Sequence, residues 1–152
     1  MVRASYLQIY NELISDLLRT ERSSLQIRED KKKGVFVEGL SEWVVKTPKE
    51  IYKLLEKGAN ARVTASTKMN DLSSRSHAVF IIIVEQMQTV PQEGKEPARY
   101  IKVGKLNMVD LAGSERVKYT EATGKRLEES KKINQSLSCL GNVISALTKQ
   151  LH

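Results

Sequence analysis

Lys105-Leu106-Asn107-Met108-Val109-Asp110-Leu111-Ala112-Gly113-Ser114-Glu115 is the stretch on which the fold turns. Residues 105–109 read as a strand. The strand ends in a carboxylate, and a glycine follows three residues later. At the C-terminal edge of a parallel sheet, such an exit is where ligands bind. Asp110 can hold Mg²⁺ through water, because magnesium takes oxygen ligands and keeps much of its hydration shell. Gly113 has no Cβ, so its backbone N–H can come close to a phosphate oxygen. A plain strand-to-turn exit explains the same residues without a ligand.

Upstream, Ala78 to Val84 is almost wholly apolar, as expected for a strand buried on both faces. Just before it stands Asn70-Asp71-Leu72-Ser73-Ser74-Arg75-Ser76-His77. Its hydroxyls could serve a metal and a phosphate, with a cation beside them. A solvated loop is the alternative, with His77 as a satisfied structural histidine. Pro91 to Pro97 reads as a surface loop between two strands.

Nearer the start, Tyr6 to Tyr10 alternates like a strand. Leu13, Ile14, Leu17 and Leu18 recur at helical spacing and predict a short helix. Leu25-Gln26-Ile27 and Val35-Phe36-Val37 are short strands joined by the basic turn Lys31-Lys32-Lys33-Gly34, and can pair as a hairpin. Thr47-Pro48-Lys49-Glu50 opens a helix with a capping box and a proline at its first position. Ile51, Leu54 and Leu55 form its apolar face, and Gly58 marks a stop. Arg116 to Arg126 is polar. From about Glu128, Ile133, Leu137, Leu140, Ile144 and Leu147 make the stripe of a long amphipathic helix. Strands mixed with helices predict an α/β fold, a central sheet with helices on its faces.

Composition narrows the function classes. The chain has 152 residues, 40% hydrophobic and 28% charged, which is ordinary globular material for one domain. No apolar run approaches the roughly 20 residues a spanning helix needs, so membrane insertion is not expected. One cysteine, Cys139, allows no internal disulfide. The net charge of +7 favours a polyanionic or acidic partner. Nucleic acid is not expected, since aromatics for base stacking are few and no RNA or DNA motif is present.

Taken together, Asn70-x-x-Ser73-Ser74-Arg75-Ser76-His77 and Asp110-Leu111-Ala112-Gly113-Ser114-Glu115 resemble the switch I and switch II signatures of kinesins. Ser5-Tyr6-Leu7-Gln8-Ile9-Tyr10-Asn11-Glu12 looks like the strand that family places before switch I. Lys132-Ile133-Asn134-Gln135-Ser136-Leu137-Ser138, continued by Leu140-Gly141-Asn142-Val143-Ile144-Ser145-Ala146-Leu147, looks like its switch II helix. The resemblance spans essentially residues 1–152 and implies a partial kinesin motor domain. The fold would be P-loop NTPase-like, a central mixed sheet flanked by helices. The activity would be microtubule-based movement driven by ATP with Mg²⁺, in the cytoplasm on the cytoskeleton.

Site roles follow by resemblance. Ser74 supplies a hydroxyl to Mg²⁺, and Asp110 holds the metal through water. Asn70 and Ser73 lie at the nucleotide, Ser73 against the γ-phosphate and the attacking water. Gly113 donates its N–H to the γ-phosphate. Arg75 and Glu115 form an ion pair when the switches close. The microtubule face would carry Arg116, Lys118, Lys125, Arg126, Lys131 and Lys132, with Lys31, Lys32 and Lys33 as a second patch.

The sequence departs from the family pattern at one point. No Gly-x-x-x-x-Gly-Lys-[Ser/Thr] phosphate loop occurs in it. Two functions therefore stand: the switch half of a microtubule-stimulated ATPase, or a non-catalytic microtubule-binding or regulatory fragment. The 152 residues alone are expected to be unstable or oligomeric and not to bind ATP measurably.

Overall fold

The computed structural model of the chain describes residues 1–31, 34–65, 73–92, 95–113 and 125–149. Its centre is β1 (Val2–Tyr10), buried on both faces from Ala4 to Gln8. One edge of β1 pairs with β6 (His77–Gln92), in register from Val2↔Val84 to Ile9↔His77. The other edge takes two short strands, β2 (Leu13–Asp16) near its C-terminus and β5 (Trp43–Val45) near its N-terminus. Beyond β2 come β3 (Ser23–Asp30) and β4 (Gly34–Glu38), and beyond β6 comes β7 (Lys95–Asp110). The seven-stranded order is β4-β3-β2-β1-β6-β7, with β5 beside β1. Every strand pairing among the described residues is antiparallel.

Helix α1 (Pro48–Ala65) lies over this sheet. Its start follows the expected chemistry. The Glu50 N–H donates to Thr47 Oγ1 at 3.4 Å, and the Glu50 carboxylate accepts from the Lys46 N–H at 2.7 Å. Ile51, Leu54, Leu55 and Ala61 pack against a core of Ala4, Tyr6, Leu17, Leu18, Val45, Ala78 and Phe80. Within it Tyr6 and Phe80 meet edge to face, centroids 5.2 Å apart. A second helix, α2 (Lys125–Lys149), begins three residues before the expected Glu128.

Four local expectations are corrected. Leu13 to Leu18 is no helix: Leu13–Asp16 is β2, and Asn11 and Glu12, at φ +52° and +67°, form a two-residue left-handed turn that folds it back on β1. Leu17 and Leu18 reach the core because Asp16, itself buried, turns the chain there. Its Oδ1 accepts from the N–H groups of Leu18 (2.8 Å) and Arg19 (3.1 Å), and its Oδ2 from that of Ser41 (2.8 Å). Gly58 does not stop α1. It sits inside the helix where the ring of Tyr6 leaves no room for a side chain: a Cβ there would lie 2.1 Å from Tyr6 Cδ1.

The strand from Ala78 is not buried on both faces throughout. Ala78 and Phe80 are buried, the residues between and after them only partly, and Val84 is exposed. Pro91 and Pro97 do not bound a loop. They lie inside β6 and β7, which form one long hairpin.

Candidate functional site

Antiparallel pairing of β6 with β7 sets Ala78 opposite Asp110. The start of one strand and the end of the other therefore share one end of the sheet, and the two sequence motifs meet there. The 3₁₀ turn Ser73–Arg75 and the segment 111–113 lie side by side, and the Gly113 N–H donates to the Ser74 carbonyl at 2.9 Å. The partner of Asp110's strand runs antiparallel, so the two motifs meet at this end by a hairpin register, not by a parallel crossover.

Asp110 is held by a residue the sequence reading passed over. Arg62, on the last turns of α1 and buried, donates to Asp110 Oδ2 at 2.8 Å, and to the Ser76 carbonyl and hydroxyl at 3.1 and 3.2 Å. A buried guanidinium needs such acceptors, and here they come from both motifs. The signal for Arg62 was its cation at the end of an otherwise small and polar helix stretch, which acquires meaning only once Asp110 and Ser76 are placed beside it.

His77 uses both ring nitrogens. Nδ1 accepts from the Ala112 N–H at 3.0 Å, so Nε2 carries the proton and donates to Ser136 Oγ on α2 at 2.8 Å. The Ser136 hydroxyl in turn donates to the Ile133 carbonyl at 2.7 Å. Burial holds the His77 imidazolium below the ordinary histidine range.

Arg75 lies 3.3 Å from Glu129 Oε2 at the start of α2. Tyr10 shares that carboxylate. Burial first, then the hydrogen bond to Glu129 and its charge, push the Tyr10 phenol up, while Arg75 pulls it down. Lys132 bridges to Glu12 at 3.6 Å. Glu129, Lys132, Ile133 and Ser136 are spaced i, i+3, i+4, i+7 and so share one helix face. That face docks on Tyr10, Glu12, Arg75 and His77. Farther along, Leu140, Ile144 and Leu147 of the expected apolar stripe are exposed.

Other expected site residues are placed as follows. Ser73 opens the 3₁₀ turn and Ser74 is its second residue. Lys125 and Arg126 begin α2. Lys131 is exposed and pairs with Glu128 at 2.8 Å, and its hydrogen bond and charge hold the Glu128 carboxyl below its usual range. Lys31 is exposed in the β3–β4 turn. Asn70, Glu115, Arg116, Lys118, Lys32 and Lys33 lie outside the described residues, and so does the Arg75–Glu115 pairing. Among the described residues, no helix is long and apolar enough to cross a membrane.

Comparison with known proteins gives one family. A family model for the kinesin motor domain matches residues 1–152. Kinesin heavy chain of Botryotinia fuckeliana is 49% identical over 147 residues, covering 97% of this chain and 16% of the relative. Kinesin-like protein KIF15 of Strongylocentrotus purpuratus is 49% identical over 152 residues, 100% of this chain and 10% of the relative. A solved structure of a fast kinesin matches with a TM-score of 0.78 and 44% identity, over 98% of this chain and 40% of that one. A KIF14 dimer with AMP-PNP in complex with a microtubule matches at 0.81 and 43%, over 98% and 42%. The chain thus spans well under half the length of these proteins, and its mixed α/β fold is theirs. On sequence and on fold alike, this chain belongs to the kinesin motor domain family.

Proposed function

We propose that these residues are the phosphate-sensing and microtubule-gripping part of a motor that couples ATP hydrolysis to movement along microtubules. The observation that carries the reading is the hydrogen bond from Gly113 to Ser74, which sets the two switch motifs side by side at one end of the sheet. The donors gathered there suit a Mg²⁺-bound phosphate. Ser74 and Asp110 offer oxygen, the element magnesium prefers, and Gly113 offers a backbone N–H. Ser74 and Asp110 would hold the metal, which when bound neutralises phosphate charge.

The protein's own part is positioning. Arg62 orients the Asp110 carboxylate from its buried side. The Gly113 N–H, given over to Ser74 here, is the donor that a terminal phosphate would claim, so phosphate binding and the Ser74–Gly113 bond compete. Ser73 and Asn70 face the nucleotide in this reading, and Arg75 with Glu115 forms the closing ion pair. A site closed by one ion pair and opened by loss of the phosphate is a two-state latch.

Helix α2 is the output. Its first turns carry Lys125, Arg126, Lys131 and Lys132, and with Arg116 and Lys118 they form the basic face toward acidic tubulin. Lys31, Lys32 and Lys33 add a second patch. The site of action is then the cytoskeleton. ATP binding also calls for a phosphate loop, which these 152 residues do not contain. The second reading is a non-catalytic microtubule-binding or regulatory fragment.

ATP hydrolysis by the full protein carrying these residues, with and without microtubules, tests the first reading. Stimulated hydrolysis that Arg75→Ala and Glu115→Ala each abolish is the expected result. Co-sedimentation with microtubules and no hydrolysis would establish the second reading instead.

A further inference from the structure

We propose that His77 is a positioning residue that ties the backbone of the phosphate-sensing turn to α2, so that a shift at Ala112-Gly113 moves the helix. The inference rests on the motor reading above and adds a part that reading leaves out. The hydrogen-bond chain has one direction only. A backbone N–H can only donate, so Ala112 makes Nδ1 the acceptor. Nε2 must then carry the proton and donate to Ser136 Oγ, whose hydroxyl donates onward to the Ile133 carbonyl. Every donor in the chain has an acceptor, and a planar ring is its rigid centre.

Two further observations make this a joint and not merely a satisfied histidine. Ala112 is the neighbour of Gly113, whose N–H is engaged by Ser74, so the ring is bonded to the peptide adjacent to the one that would meet phosphate. The other end of the ring lands on the helix face that carries Glu129 and Lys132, between the two ion-paired ends of the docking surface and the rest of α2. The crevice around the ring, lined by Ile9, Glu12, Arg75, Lys132, Ile133 and Ser136, measures about 40 Å³. That admits water and no ligand. A contact of this kind between two movable elements is a coupling link only if both ends bias the same equilibrium, and that is measurable.

The experiment uses the full protein and reads the ratio of microtubule-stimulated to basal ATP hydrolysis. His77→Asn keeps an acceptor near Nδ1 and loses reach to Ser136, and Ser136→Ala removes the far acceptor. Each is expected to lower the ratio by about tenfold. The double variant is expected to fall no further, since both cut one link, and Ser136→Thr, which restores the hydroxyl, to recover it. Ratios within about twofold of wild type in both single variants, or a double variant showing the product of the two losses, would overturn the inference. A wild-type protein that microtubules do not stimulate would sink the motor reading and this link with it, a result visible before any substitution. Imidazole ¹⁵N shifts of the wild-type protein, with His77 assigned by its loss in His77→Gln, supply a check that needs no variant to be active. The Nε2–H tautomer supports the link, and an Nδ1–H tautomer or an imidazolium at neutral pH refutes it.

Discussion

The Arg75 guanidinium lies 3.3 Å from Glu129, on α2, and both side chains are largely shielded from solvent. In the proposed mechanism the same guanidinium closes onto Glu115. One arginine and two carboxylates make a competition, with Glu129 holding the open arrangement in which α2 is docked on Tyr10 and His77. Removing the Glu129 charge should shift the balance toward closure. Glu129→Gln is expected to raise basal ATP hydrolysis of the full protein several-fold, about what a coupling of 1 kcal/mol provides. Unchanged or lower basal hydrolysis would show that Glu129 only docks the helix.

Gly58 offers a test of packing. In an exposed helix, replacing glycine with alanine stabilises by about 1 kcal/mol. At Gly58 the new methyl would meet Tyr6 Cδ1 at 2.1 Å, and Tyr6 is itself fixed against Phe80. Overpacking of this sort costs about 1–3 kcal/mol, so Gly58→Ala should lower the denaturant midpoint. A raised midpoint would mean that α1 can lift from β1 at little cost.

Asp16 offers a test of a buried carboxylate. Its oxygens serve three backbone N–H groups, two in its own turn and one at Ser41, tying the β2 exit to the segment that leads into β5. Asp16→Ala leaves those donors without their acceptor and should destabilise by about 2–4 kcal/mol. Asp16→Asn, keeping one acceptor oxygen, should lose less. Equal losses would show that shape, not hydrogen bonding, holds the turn.

Local structure was legible in the sequence where a residue's near neighbours decide it. Alternation marked β1, the capping residues Thr47 and Glu50 marked α1, and the apolar run into Asp110 marked the end of β7. Local structure was not legible where a distant partner decides it. Leu13, Ile14, Leu17 and Leu18 carry a helical pattern, but a left-handed turn at Asn11 and Glu12 pairs them with β1 instead. Gly58 looks like a helix stop until Tyr6 is placed beside it. At the candidate site, motif chemistry singled out Asp110, Gly113 and Ser74, and the structure brings the two motifs together through the Gly113–Ser74 hydrogen bond. Arg62 was not singled out, because its acceptors lie 14 and 48 residues away in sequence. His77 was left between a site cluster and a satisfied structural histidine, because a single residue gives no hint that its two nitrogens serve two different elements.

The basic face was only half legible. A run of lysines shows charge and not pairing, and Lys131 and Lys132 each already answer a carboxylate, Glu128 and Glu12. Surface pairs of this kind contribute about 0–1 kcal/mol and are screened by salt. Their acids therefore partly offset the attraction to an acidic partner. Glu12→Gln, which frees Lys132, is expected to tighten microtubule binding by about two- to fivefold at low salt, with the gain fading at high salt. Weaker binding would mean that the Glu12 bridge sets the pose of α2 and not merely its charge.

His77 also gives a pH dependence whose sign is fixed by its burial. Its folded-state pKa is lowered, because the imidazolium loses hydration and could not accept from the Ala112 N–H. Above the unfolded value of about 6.5 the ring is neutral in both states, and its contribution to stability is complete. As pH falls below that, the unfolded chain takes up the proton first, so stability declines through the interval down to the folded pKa and then levels off. Charged groups near the ring are Glu12, Arg75 and Lys132, which line its crevice, and Glu129 on Arg75. Unfolding temperatures of the full protein between about pH 7.5 and 5.5 should fall with pH in wild type and stay flatter in His77→Gln, which has no ring to charge. Parallel curves for the two proteins would show that His77 accepts its proton as readily folded as unfolded, and the one-directional hydrogen-bond chain through the ring could not then be correct.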